Sequence, residues 1–316
     1  MSMNRTVVAT ALCLCAGLAQ AQNYYTSFEN FTAGESVNGQ NGWYTPTLVV
    51  GTVDHFIYAY GGDPYGLAVN PQGSDQFMAG RSQGGTALAR AQHDVDFTTN
   101  DRWSLSYDLC PAFDGTLPAA ANLASFSLAR PEAAPPAFKQ FISLNNFMDV
   151  NNPPAGWKGE YNVFDAAGTT LANQSPGAAW TNLTYNAWYR LETVVNFATN
   201  RIESVSITNL STCEKTTATP EWYVTGGAAS VLPLPPAVRC FAGGGLGNIA
   251  GYDNVYIKAL GGCEADFNGD DQVDFFDYLD FASAFDAQTS IADFNGDCQV
   301  DFFDYLDFAS AFDACS

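Results

Sequence analysis

Asp266, Asn268, Asp270, Asp274 and Asp277 put side-chain oxygens at positions 1, 3, 5, 9 and 12 of one short loop. The Gln272 backbone carbonyl is available at position 7, and Val273 at position 8 can turn inward to pack. Calcium is a hard cation that takes roughly six to eight oxygen ligands, and this spacing wraps a chain around one. The pattern returns 27 residues later as Asp293, Asn295, Asp297, the Gln299 carbonyl, Asp301 and Asp304. Residues 265–287 and 292–314 differ only at Asp271 against Cys298. Five ligand positions matching twice at a fixed interval point to two calcium loops. The alternative is a pair of solvated acidic turns.

The elements that must hold these loops are short. Phe276, Leu279, Ala282 and Phe285 follow helical spacing after the first loop, as do Phe303, Leu306, Ala309 and Phe312 after the second. Each unit is therefore a loop plus one helix, and two such units could pack about a pseudo-twofold axis. A unit of this size has little core of its own, so calcium would supply much of its folding energy by binding the folded form only. Cys263 and Cys315 bracket the duplicated segment, and a bridge between them is the expected pairing. Connectivity cannot be read from spacing, so other pairings stay open.

Charge narrows the function further. The net charge is −21, and residues 263–316 hold 14 Asp and Glu with no Lys or Arg. Nucleic acid is excluded as a partner, because phosphate binding needs a basic footprint. Residues 1–21 read as an export signal: Arg5, a short apolar run Thr6 to Leu18, then Ala19-Gln20-Ala21. That run is too short to span a bilayer, and no transmembrane segment is found elsewhere. The expected localisation is secreted, either extracellular or associated with a cell surface. Cys110, Cys213, Cys240, Cys263, Cys298 and Cys315 remain after cleavage, an even count that suits disulfides in an exported chain.

Residues 22–260 read as many short strands. They include Ala87–Phe97, Trp103–Leu109, Leu123–Ala129, Phe138–Asn145, Lys158–Phe164, Ala187–Phe197 and Arg201–Thr208. From Trp103 to Leu109 the odd positions are apolar and the even ones polar, which describes a half-buried strand. About a dozen strands without helical periodicity predict a two-sheet jelly-roll sandwich. The fold class is therefore mainly β, a jelly-roll β-sandwich followed by a small all-α calcium-binding module. Tyr25-Thr-Ser-Phe-Glu29, Gly39-Gln-Asn-Gly-Trp43, Trp188-Tyr-Arg-Leu-Glu192 and Tyr252-Asp-Asn-Val-Tyr-Ile257 resemble a concanavalin A-like (laminin G-like) lectin/glucanase domain. The resemblance implies that the first and last strands pair. It also implies that Glu29 and Asp253 could hold a structural calcium there; the alternative is that both are edge-strand charges.

The duplicated tail, residues 263–316, resembles a type I dockerin, closest to the GC-type anchors, and has an EF-hand-like loop. That resemblance implies a cohesin-like or surface scaffold partner. It places the partner-facing residues at loop positions 10 and 11, here Phe275, Phe276, Phe302 and Phe303. For one of each Phe pair, plain helix core is the competing reading. Two departures stand out. Position 12 is Asp rather than Glu, and position 6, normally Gly, is Asp271 or Cys298. A side chain other than glycine resists positive φ there, so the second loop is expected to be weaker or distorted unless Cys298 is disulfide-bonded.

Catalytic patterns fail one by one. Gly80-Arg-Ser82-Gln-Gly84 lacks the strand-turn-helix context of a nucleophile elbow, and the only His after Ser82 is His93, inside a strand pattern. Gly245 to Ala250 matches a dinucleotide fingerprint without the helix that would bind phosphate. Asp94 and Asp96, on one strand face, are the nearest approach to a glycosidase carboxylate pair. Sugar platforms could come from Trp43, Tyr44, Trp157 and Trp180. The expectation is a secreted, calcium-dependent anchored protein whose sandwich binds a polysaccharide, with no catalytic residues assigned. The rival readings are a polysaccharide hydrolase or lyase, and a structural or adhesive surface protein.

Overall fold

The computed structural model describes residues 23–46, 51–72, 75–85, 87–115, 122–129, 144–151, 156–229, 237–270 and 272–315. The expected export signal lies outside them, as do Asp271 and most of the expected Phe138–Asn145 strand.

The chain folds into a jelly-roll β-sandwich followed by two helices. One layer is built on β17 (Asn248–Ala259), which pairs antiparallel with β1 (Tyr24–Thr26), β5 (Gln76–Arg81) and β7 (Arg102–Phe113). β4 (Phe56–Ala59) extends it beyond β5. On the other side β12 (Tyr189–Asn196), β13 (Arg201–Asn209) and β14 (Glu214–Ala218) continue from β7. The first and last strands do pair, with Tyr24 opposite Ile257.

The second layer runs from β2 (Trp43–Tyr44) and β3 (Thr52–Val53) through β6 (Leu88–Asp94), β16 (Ala237–Ala242) and β8 (Asn122–Ala129). It continues through β9 (Leu144–Asn151) and β10 (Gly156–Phe164) to β11 (Thr170–Gln174). β15 (Trp222–Tyr223) bonds to both β10 and β13 and links the layers.

Aromatic side chains fill the space between the layers. Tyr107 of β7 stacks on Phe126 of β8 at 4.2 Å, and Trp43, Trp103, Trp157, Trp180 and Trp188 are all nearly inaccessible. Such rings bury much apolar area each and dominate the driving force. β7 corrects the half-buried expectation. Trp103, Leu105, Tyr107 and Leu109 do point into the core, yet Ser104 and Asp108 on the other face are buried too. Strands flank β7 on both sides, and Glu192 and Arg190 reach over it. The Asp94/Asp96 pairing is also corrected: β6 ends at Asp94, and Asp96 caps the 3-10 turn Phe97–Thr99.

The C-terminal helices are α1 (Phe275–Asp286) and α2 (Phe302–Cys315). Among the described residues no helix is long and apolar enough to cross a membrane.

Candidate functional site

The first loop folds around its own acids. Asp266, Asp270 and Asp277 each aim a carboxylate oxygen into a common space, all within 4.8 Å of one another. Asp277, fully buried, accepts the backbone N–H groups of Phe267 (2.7 Å), Asn268 (3.0 Å) and Asp274 (2.9 Å). Asp266 accepts from Gly269 and Asp270, both at 2.9 Å. Asp274 caps α1 by accepting from Phe276, and Asp277 completes the capping box, so one residue serves both loop and helix.

The second loop repeats this frame with one difference. Asp304, also fully buried, accepts from Phe294 (2.7 Å), Asn295 (3.1 Å) and Asp301 (2.8 Å). Asn295 accepts from Asp297, and Asp297 from Gln299. Asp293 instead takes the Cys298 N–H at 3.0 Å on Oδ2, while its Oδ1 is buried with no hydrogen-bond partner. Burial holds the Asp293 carboxyl above the usual range, with Asp304 and Asp297 adding to the push and the Cys298 N–H and Arg190 opposing it. Cys298 adopts φ +68°.

These loops pass a simple test of fit for a hard cation. A buried anion is costly unless paired, and Asp277 and Asp304 receive only backbone N–H groups among the described residues. The Asp293 Oδ1 has no hydrogen-bond donor among the described residues.

The helix faces differ from the expected stripe. Phe267, Phe281, Phe294 and Phe308 form a symmetric knot, with Phe281 and Phe308 stacked at 4.0 Å across the pseudo-twofold axis. Phe276, Leu279, Phe303 and Leu306 face outward instead. The ligand at position 12 must point inward, and Phe281 and Phe308 lie one helical turn beyond it. Phe275, Phe276, Phe302 and Phe303 are all 63–64% exposed, so none is core, contrary to the competing reading for one of each pair. Tyr278 stacks on Phe275 and Tyr305 on Phe302, and the two tyrosines are electrostatic neighbours that join the halves of this aromatic face.

Cys263 and Cys315 are bonded to each other, tying the ends of the module. Both loops also touch the sandwich. Asn23 donates to the Phe267 carbonyl (3.1 Å) and Gln72 to the Cys298 carbonyl (2.9 Å). Burial holds Lys258 below the usual ammonium range, while Asp266, Glu264 and Asp277 pull it back up. Burial, then the neighbouring Cys213 thiol, pushes Cys298 up to about 12.

Within the sandwich, Glu29 is exposed and accepts from the Gln76 backbone amide at 2.8 Å. Asp253 is fully buried and accepts from Tyr60, Asn70 and Asn254. Asn70 also bridges to Asp108, which Arg190 grips with two nitrogens at 2.7 and 3.1 Å. Burial opposes the Arg190 charge, but Asp108 overrides it and holds Arg190 well above its ordinary value.

Three of the four suggested sugar platforms are core: Trp43, Trp157 and Trp180 are at most 1% exposed. Tyr44 is half-buried and donates to Asp94 at 2.8 Å. A polar sheet face was missed instead. Opposite the core, the β6–β16–β8 register aligns Gln92, Arg239 and Ser127 in one row and Arg90, Phe241 and Ser125 in the next. Arg239 donates to Gln92, and Arg90 lies over the Phe241 ring at 5.2 Å. On β10 of the same sheet, Glu160 pairs through Oε1 with Lys158 (2.8 Å), while Oε2 is buried with no hydrogen-bond partner among the described residues. The alternating serines of Leu123 to Leu128 were the available signal.

No protein-family model and no curated protein sequence matches the chain. Among solved structures it is similar to lectin II from Ulex europaeus at 10% identity and TM-score 0.44, over 76% of this chain and 98% of that one. It is similar to the cellulose-induced protein Cip1 at 10% identity and TM-score 0.41, over 75% and 97%. It is also similar to the exoplasmic/lumenal domain of VIP36 at 13% identity and TM-score 0.37, over 65% and 84%. Likeness at this level assigns no ligand.

Proposed function

We propose that this is a secreted, anchored protein. Its C-terminal module binds calcium through Asp266, Asn268, Asp270, Gln272, Asp274 and Asp277 and through the matching second set. Loaded in this way, it docks on a cohesin-like scaffold partner in the manner of a dockerin. The observation that carries this reading is the outward face of Phe275, Phe276, Phe302 and Phe303, together with Leu279 and Leu306. A small module that exposes so many large apolar side chains in one place has a surface that suits a protein partner. The absent cation would neutralise the buried carboxylates and brace each loop against its helix.

The sandwich is then the delivered part, and the proposed ligand is a polysaccharide. The reading draws on the polar sheet face, whose Gln92, Arg239, Ser125 and Ser127 stand in two adjacent rows and are all buried. The unpartnered Glu160 Oε2 is poised to accept from a hydroxyl group.

The docking test is calorimetry of the full chain against a panel of cohesin modules, with calcium and with chelator. Calcium-dependent binding that Phe275→Ser with Phe302→Ser abolishes is the expected result. Binding to none of the panel, or binding unchanged by that double substitution, removes the dockerin reading. A polysaccharide array then addresses the body. Retention lost in Glu160→Gln is expected, and the absence of any retained glycan ends the carbohydrate reading.

A further inference from the structure

We infer that Cys213 and Cys298 are a disulfide site that fastens the C-terminal module to the sandwich. Nothing in the calcium or docking argument requires this bond, and it rests on different residues. Cys213 sits in the turn between β13 and β14, where its N–H donates to the Asn209 carbonyl at 2.7 Å. Cys298 sits at position 6 of the second loop, on the separate module. Both are half-buried free thiols in this structure, and the two are electrostatic neighbours.

The surroundings hold them together. The peptide groups on either side of the Cys298 side chain are fixed, its N–H by Asp293 Oδ2 at 3.0 Å and its carbonyl by Gln72 at 2.9 Å. The side chain packs on a small apolar cluster with Leu67, Trp188 and Leu210. Leu210 opens the turn that carries Cys213, so this cluster reaches from Cys298 to that turn. Both residues occupy the left-handed region, at φ +58° and +68°. Such backbones disfavour any side chain, and glycine is the usual solution. Two neighbouring thiols, each at a strained backbone position, have a purpose if the sulfurs bond. This also accounts for the single difference between the two copies: Cys298 replaces Asp271 in the copy that meets a cysteine of the body.

The chemistry is thiol–disulfide exchange with an oxidised dithiol, of the kind present where exported proteins fold. The Cys213 thiolate attacks one sulfur of the donor and forms a mixed disulfide, releasing one donor thiolate. Cys298 then attacks Cys213, forming the Sγ–Sγ bond and releasing the second. The donor leaves reduced, carrying two electrons, and the two protons of Cys213 and Cys298 pass through solvent to its thiolates.

The test is peptide mapping of the full chain, equilibrated with calcium in an oxidised/reduced glutathione buffer. Free thiols are alkylated and the chain is digested without reductant. The expected products are one linked pair carrying Cys213 and Cys298, a second carrying Cys263 and Cys315, and alkylated Cys110 and Cys240. Recovery of alkylated Cys213 and Cys298 from chains in which Cys263–Cys315 has formed would overturn the inference. So would linkage of either cysteine to a different partner. In Cys298→Ser, Cys213 should become fully alkylated while Cys263–Cys315 persists. A Cys213 that stays blocked in that variant also refutes it.

Discussion

The sandwich and the C-terminal module both bury carboxylates, but they satisfy them from different sources. Asp108 and Asp253 are inaccessible, and the body supplies their partners from distant strands and loops: Arg190, Asn70, Asn254 and Tyr60. Asp277 and Asp304 are equally inaccessible, and their described partners are backbone N–H groups from their own loops. The module has no Lys or Arg in its sequence to offer. Only at its rim does the body lend cations, Lys258 beside Asp266 and Arg190 beside Asp293. The contrast teaches that the body supplies Asp108 and Asp253 with side-chain partners of its own, whereas the module has no cationic side chain to offer Asp277 and Asp304.

Calcium removal should break this symmetry most widely. A site held at 1,000 times its dissociation constant contributes about 4 kcal/mol, and two such sites are proposed for the module. Chelator should abolish the helical circular dichroism signal and leave the β signal in place. Helix content indifferent to chelator would erase the contrast. The body has its own weak point in the Arg190→Met variant, which leaves Asp108 buried without its cation. A loss of about 3–5 kcal/mol is expected in urea unfolding of the β transition, with calcium present throughout. A loss within experimental error would mean that the amide and hydroxyl donors suffice.

Acid probes the body more gently. His55 is fully buried, and burial pushes its imidazole down from 6.5 to about 3. The folded chain keeps the ring neutral while the unfolded chain protonates it below 6.5. Its contribution is therefore complete above pH 6.5 and is lost at about 1.4 kcal/mol per pH unit as pH falls toward 3. Urea midpoints at pH 7 and pH 5 in saturating calcium should show this slope, reduced in His55→Gln. An unchanged slope in that variant assigns the acid sensitivity elsewhere. The smallest stability effect belongs to Phe275→Ser with Phe302→Ser. Both side chains face solvent, so thermal unfolding should move by no more than about 0.5 kcal/mol. A large destabilisation would show that these rings are packing groups and not a contact surface.

Sequence and structure agree best where the information is local. The strands at Lys158–Phe164 and Arg201–Thr208 appear within a residue or two of their expected ends, because alternation and turn residues act over short distances. The misreadings concern which face is covered. Trp43, Trp157 and Trp180 lie in turn-rich stretches yet fill the core, because the first two belong to strands β2 and β10 and the third to a short 3-10 turn that buries it. The helix stripe was ambiguous because Phe-Phe-Asp-Tyr-Leu-Asp-Phe is apolar on nearly every side. Asp277 resolves it by pointing inward and carrying Phe281 with it.

The sequence by itself determined the duplicated spacing of the acidic residues and the absence of any Lys or Arg among them. These follow from residues within one turn of each other, so no partner strand is required to read them. The tertiary structure alone decided that four phenylalanines face solvent, that Arg190 meets Asp108, and that Cys298 meets Cys213 across 85 residues of chain. Burial and long-range pairing depend on what the rest of the chain packs against a residue. Spacing along the chain does not carry that information.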